Sequence, residues 1–261
     1  MKGTLIVCVA LAVASTAGAA VTSSTSHGDK DFVGLAQPIA AGDLLSGLIG
    51  SEQAGDIGWH GVNTAAEDQL PAFTDDHGPN GRPFYGLLND PFNGGLGSDQ
   101  PVKLVRYDLG GPKNITELRI FTGNINGADG RIFSTTVVKY STDGGNIFQD
   151  LGYFQSDPSG TINNALAGNF FTTLVRIFDD QSPTLLSGVT HLQFNFYAVH
   201  RNNDTMHDPF DGVNPFTGGN DNLASPFTSP LVYEIDALPE PGTLALLGLG
   251  GLLIRGRRRR T

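Results

Sequence analysis

Cysteine is almost missing from this chain. The single one in 261 residues is Cys8, so no intramolecular disulfide can form and the fold must be held by its core. Positive charge is scarce: 16 Lys+Arg face 26 Asp+Glu, for a formal net charge of −10, which argues against a nucleic-acid partner. Long apolar runs are lacking too. The uncharged stretch 243–254 has 12 residues, and as a helix it would reach ~18 Å against a hydrocarbon core of ~30 Å. Enzyme signatures are absent: there is no Gly-x-Ser-x-Gly elbow, no His-Glu-x-x-His pair, no phosphate-binding Gly-rich loop ending in Lys-Ser/Thr and no cysteine nucleophile. His200 and His207 are not at a recognised zinc spacing. A non-enzymatic protein is the expectation, with a chance carboxylate pair of the glycosidase kind as the route left open.

The two ends are the most legible parts. Pro239-Glu240-Pro241 precedes the apolar stretch, and Arg255 and Arg257, Arg258, Arg259 and Arg260 follow it. Arginines are costly to carry across a bilayer, so that end would stay cytoplasmic and the bulk of the chain would lie outside. This order of parts resembles the PEP-CTERM sorting signal of Gram-negative bacteria. The resemblance implies an integral-membrane exosortase as partner and at least transient anchoring in the inner membrane; an ordinary tail anchor is the alternative. At the other end, Lys2, the apolar residues 5–13 and the small residues Ala17-Gly18-Ala19 have the pattern of a signal peptide over 1–20, and hence of Sec export, with a buried helix as the alternative.

Removing 1–20 and 239–261 leaves 218 residues, enough for one domain. Lys2 and the five arginines go from the basic side and Glu240 from the acidic side, so the body retains 10 basic and 25 acidic residues, a net of −15. Such a surface favours solubility and divalent cations. Residues 21–36 read as a flexible linker and 37–238 as one β domain with long loops, the longest over 201–228. Glycine at 35 of 261 is about twice the usual ~7% share. From residue 102 onward the hydrophobic period is two. Val105, Tyr107 and Leu109 form one set, closed by Gly110-Gly111-Pro112, and Leu118 and Ile120 form a second strand. Val138 and Tyr140 run into a hairpin turn at Asp143-Gly144-Gly145. Further sets are Phe171 to Ile177, Leu192 to Phe196 and Leu231 to Ile235. Asp43 reads as the cap of a short helix over 43–49. These strands predict an antiparallel β-sandwich or jelly roll.

The segments Val105-Arg106-Tyr107-Asp108-Leu109-Gly110, Asn114-Ile115-Thr116-Glu117-Leu118-Arg119-Ile120 and Val138-Lys139-Tyr140-Ser141-Thr142-Asp143-Gly144 resemble the discoidin or galactose-binding-like domain. The Phe73-Thr74-Asp75-Asp76 turn and the strand from Leu231 to Ala237 extend the likeness. The chain departs from that pattern after Asp76, where Gly78, Pro79, Gly81 and Pro83 replace a tryptophan-bearing strand. The resemblance implies a structural Ca2+ held by backbone carbonyls with Asp75, Asp76 and Glu234. The competing reading has the two aspartates capping a turn and Glu234 facing solvent. Sugar binding requires aromatic and planar polar side chains. Trp59, Arg131, His200, Arg201 and Asn202 are the candidates, although a lone tryptophan also suits a core and Arg131 a surface ion pair. The expected function is a secreted surface or matrix protein that associates with exopolysaccharide. A purely structural or adhesive domain and a secreted hydrolase are the alternatives.

Overall fold

The computed structural model describes residues 21–90, 99–124, 131–157, 172–198, 206–222 and 228–241. The expected signal-peptide segment, the stretch 243–254 expected as a short apolar helix, Arg255, Arg257, Arg258, Arg259 and Arg260, and His200, Arg201 and Asn202 lie outside the described residues.

The described chain is mostly β. Its strands are β1 (Val21–Gly28), β2 (Ser51–Glu52), β3 (Lys103–Gly123), β4 (Thr135–Ser141), β5 (Gln149–Gln155), β6 (Thr172–Asp179), β7 (Leu186–Tyr197) and β8 (Val232–Pro239). All pair antiparallel in one nearly barrel-shaped sheet ordered β1-β6-β3-β7-β4-β5, with β2 and β8 also on β3. β3 is the hub. Its first part pairs with β2 and β7, and its second part with β6 and β8.

Gly110-Gly111-Pro112 was expected to end a strand. Instead β3 continues through it, with a register shift against β7 between Asp108 and Lys113. Gly110 and Gly111 have φ of 69° and 137°, values a side chain resists, and the bulge re-aims the strand while the ladder resumes beyond it. The hairpin at Asp143 forms as expected between β4 and β5. Asp143 Oδ1 accepts the amides of Asn146 and Ile147 at 3.1 and 3.0 Å.

Two expectations need correction. The linker at 21–36 begins with a full strand, β1, paired over eight residues with β6. Its small polar side chains hid it, because an edge strand gains its ladder bonds without an apolar face. The helix expected over 43–49 is a set of turns; Asp43 caps them through Leu45 N at 2.7 Å, and Gly47, at φ 71°, turns the chain away. The described helical residues are two short 3-10 turns, Ala66–Asp68 and Leu70–Phe73.

The inward faces of β3, β6, β7 and β8 supply the main core, including Val105, Tyr107, Ile120, Val175, Phe194, Phe196 and Ile235. A second cluster joins Ala72, Tyr85, Phe121, Leu174 and Tyr233. At ~1.5–3 kcal/mol for each large side chain fully buried, these clusters hold the fold without a disulfide. Gly123 makes one close packing possible, since a Cβ there would stand 1.8 Å from the Tyr233 ring.

Candidate functional site

Residues two apart on a strand share a face, so β8 presents Glu234 and Asp236 together. The loop around 40–46 and the turn at 74–77 bring Asp43, Asp75 and Asp76 to that face. Ser46 Oγ lies 2.6 Å from Asp76 Oδ1 and 3.1 Å from Asp43 Oδ2, and its one proton can serve only one of them at a time. Backbone amides satisfy several remaining oxygens: Gly42 N donates to Asp76 Oδ2 at 3.2 Å, Ala237 N to Asp43 Oδ1 at 2.8 Å and Ala40 N to Asp236 Oδ2 at 2.9 Å. The Tyr85 hydroxyl donates to Asp75.

Glu234 is different. Its side chain is 0% exposed, and neither carboxyl oxygen has a hydrogen-bond partner; Asp236 Oδ1 also has none. Arg119 and Arg82 reach only the margins, 3.9 Å from Asp236 and Asp75 respectively. Burial, reinforced by Asp236, Asp75, Asp43 and Asp76, pushes the Glu234 carboxyl up to about 10. Burial also raises Asp236 to about 7, with Asp43 adding to the rise and the Ala40 amide and Arg119 opposing it. Asp43 is raised by burial as well.

The cluster therefore carries more negative charge than the surrounding protein neutralises. It can hold protons, or it can hold a hard cation. All its donors are oxygens, which suits calcium, and the orphaned Glu234 carboxyl is the group such an ion would satisfy. Among the described residues, no three His, Cys, Asp or Glu side chains are arranged to hold a metal by themselves. A calcium site that takes much of its shell from backbone carbonyls does not require three. The expected trio Asp75, Asp76 and Glu234 is thus brought into one electrostatic unit, and Glu234 is not at the solvent face. Asp43, Ser46 and Asp236 were missed. The signal for Asp236 was present as Glu-x-Asp inside an apolar strand, which places two carboxylates on one buried face.

Of the sugar candidates, Trp59 and Arg131 fall within the described residues, and each is engaged by the protein's own groups. Trp59 packs on the core, its ring 5.4 Å from Phe73 with Lys103 Nζ 4.1 Å above it, and its Nε1 donates to Glu52 at 2.8 Å. The indole is engaged by the protein's own groups, which corrects its expected role as a stacking platform. Lys103 is itself fully buried and bridges Glu52 and Asp56 at 2.6 and 2.9 Å. Arg131 donates to the Ser229 carbonyl, so it ties two loops together rather than standing ready for a ligand.

The last strand leads directly into the Pro-Glu-Pro motif. Pro239 is the final residue of β8 and pairs with Ile115. The Glu240 amide donates to the Asn114 carbonyl at 3.3 Å. Its carboxylate accepts from the Thr184 hydroxyl and from Asn114 Nδ2, the latter at 3.2 Å. Thr184 and then Asn114 hold this carboxyl below its ordinary range. The glutamate of the motif is thus clasped to the sheet.

Residues 237–260 match the family model described as the PEP-CTERM protein-sorting motif. The match covers about a tenth of the chain and identifies the signal rather than the body. No curated protein matches the chain. The signal implies export, recognition by an exosortase and membrane-associated sorting in a Gram-negative-type bacterium. The chain is therefore an exosortase-directed β protein whose cargo is the sheet described above.

Proposed function

We propose that this protein is a non-enzymatic component of the cell surface or extracellular matrix, exported through Sec, sorted by its C-terminal signal, and associated with exopolysaccharide through its β body. The body is read as a variant of the galactose-binding-like jelly roll in which β3 is the hub of the sheet, with Ca2+ as a structural ion at Asp43, Asp75, Asp76, Glu234 and Asp236. The observation that carries this reading is continuity: the sorting motif begins on the final strand of the sheet, so the sheet is what the signal delivers. The acidic body is compatible with a hydrated, calcium-containing matrix.

The test is co-sedimentation of the full chain with exopolysaccharide from producing cells, in calcium and in chelator. Retention in the polymer pellet that falls on chelation supports the proposal. A protein that stays in the supernatant under both conditions favours a structural or adhesive domain without glycan binding. Release of reducing sugar from the polymer would instead establish the hydrolase alternative.

A further inference from the structure

On the other side of β8 from the carboxylate cluster lies a cavity of about 500 Å³ whose walls include Phe32, Tyr233, Asn124, Asn80, Lys30 and Asp31. This is within the ~300–1,000 Å³ range of small-molecule sites. Three features distinguish it from an incidental cleft. Asn124 is 0% exposed, yet neither its amide nitrogen nor its amide oxygen has a hydrogen-bond partner. A buried amide left open at both ends is rare in a native fold. Phe32 also holds a left-handed backbone conformation, with φ of 64°, which is costly for a bulky residue and is a feature that clusters at ligand sites. Finally, the chain clears space for the Phe32 ring, since a Cβ on Gly78 would stand 2.5 Å from it.

Asp29 fixes the Phe32 loop by accepting the amides of Asp31 and Val33, both at 2.9 Å. The ring then meets Tyr233 and Phe121 edge-on, at 6.0 and 6.5 Å between centroids. The resulting wall has an aromatic surface beside a planar amide whose NH2 donors and carbonyl acceptor are both unpartnered. A pyranose ring complements that pattern: its C–H face packs on aromatic carbon, and two adjacent hydroxyls can accept from and donate to one amide. The geometry points to this cavity as a binding site for a neutral saccharide unit, with Asn124 as the polar anchor and Phe32 as the apolar wall. The inference rests on the exopolysaccharide reading above and supplies its site, which lies apart from Trp59 and Arg131. Turn residues Asp75 and Asp76 belong to the carboxylate cluster and lie four or five positions from Asn80, so both sites depend on one loop.

The full chain, purified in detergent, is titrated with methyl glucopyranoside, methyl galactopyranoside and methyl N-acetylglucosaminide by calorimetry and saturation-transfer NMR. Asn124→Ala and Phe32→Leu are compared with the parent protein, and each is also tested for co-sedimentation with exopolysaccharide. The expected result is saturable binding of at least one glycoside, weakened about tenfold by Asn124→Ala through loss of its hydrogen bonds, with no loss of thermal stability because the amide makes none within the protein. Phe32→Leu should weaken the same glycoside while keeping the apolar packing. A fall in Tm with unchanged binding would make Asn124 structural and overturn the site. Polymer retention unaffected by either variant, with no glycoside bound, would leave exopolysaccharide association standing and remove this cavity from it. Absence of both polymer and glycoside binding would remove both proposals.

Discussion

Replacing Glu234 with glutamine gives the clearest separation between a protonated cluster and a cation site. In the absence of a cation, burial and the neighbouring carboxylates lift this group from 4.5 to about 10, so near neutral pH the folded protein holds a proton that the unfolded chain releases. The native state then binds more protons than the unfolded state, and stability falls as pH rises from the unfolded value toward the folded one. The slope is ~1.4 kcal/mol per pH unit, and integrating from about pH 4.5 to about pH 7 gives ~3 kcal/mol. Glutamine has the same shape and needs no proton. In chelator, Glu234→Gln should therefore be more stable than the parent by ~3 kcal/mol near pH 7, equivalent to roughly 6–12 °C in Tm for a domain of this size. The gap should close below about pH 4.5, where the glutamate becomes protonated in the unfolded chain as well as in the folded one. With calcium the gap should nearly close, because the parent gains ~2.7 kcal/mol at a free concentration about 100 times Kd, whereas the variant lacks the carboxylate that would hold the ion. Differential scanning calorimetry across pH, with chelator and with calcium, reads both effects. A variant that is less stable than the parent in chelator at every pH, or a gap that does not vary with pH, would refute this reasoning.

Three further outcomes follow from the packing. Lys103→Ala leaves the buried Asp56 carboxylate without its cation and should cost ~3–5 kcal/mol in chemical denaturation; a change below about 1 kcal/mol would mean the pair is solvated. Gly123→Ala drives a methyl into the Tyr233 ring and should destabilise by ~1–3 kcal/mol or more, seen as a lower Tm and altered near-ultraviolet circular dichroism; native-like values for both would contradict the packing. Thr184→Val with Asn114→Ala removes both side-chain donors from Glu240, and in a pulse-chase the tail should be processed faster in cells. Unchanged kinetics would mean the clasp does not limit access to the motif.

The strands with alternating apolar residues were legible because a half-buried strand must alternate, and the hairpin at Asp143 because its turn residues tolerate positive φ. β1 was not, since Val21–Gly28 is almost wholly small and polar and its position depends on β6, more than 140 residues away. The bend of β3 at Gly110 looked like an end because local glycine chemistry is shared by turns and bulges. At the carboxylate cluster, Asp75, Asp76 and Glu234 came from resemblance and Asp236 was signalled by its Glu-x-Asp spacing on β8, while Asp43 joins them only through a long-range contact, accepting the Ala237 amide. Trp59 misled because indole chemistry does not reveal whether Lys103 will occupy its face. The cavity at Asn124 had no sequence signature, since its walls come from four distant segments.

The most direct test of exosortase-directed delivery is fractionation of cells with and without the exosortase, following both ends of the chain with separate tags. In its presence, the body should be outside the cytoplasm and separated from the arginine-rich tail. In its absence, the body should remain joined to that tail in the inner-membrane fraction. Identical location and identical full length in both strains would contradict delivery by this signal.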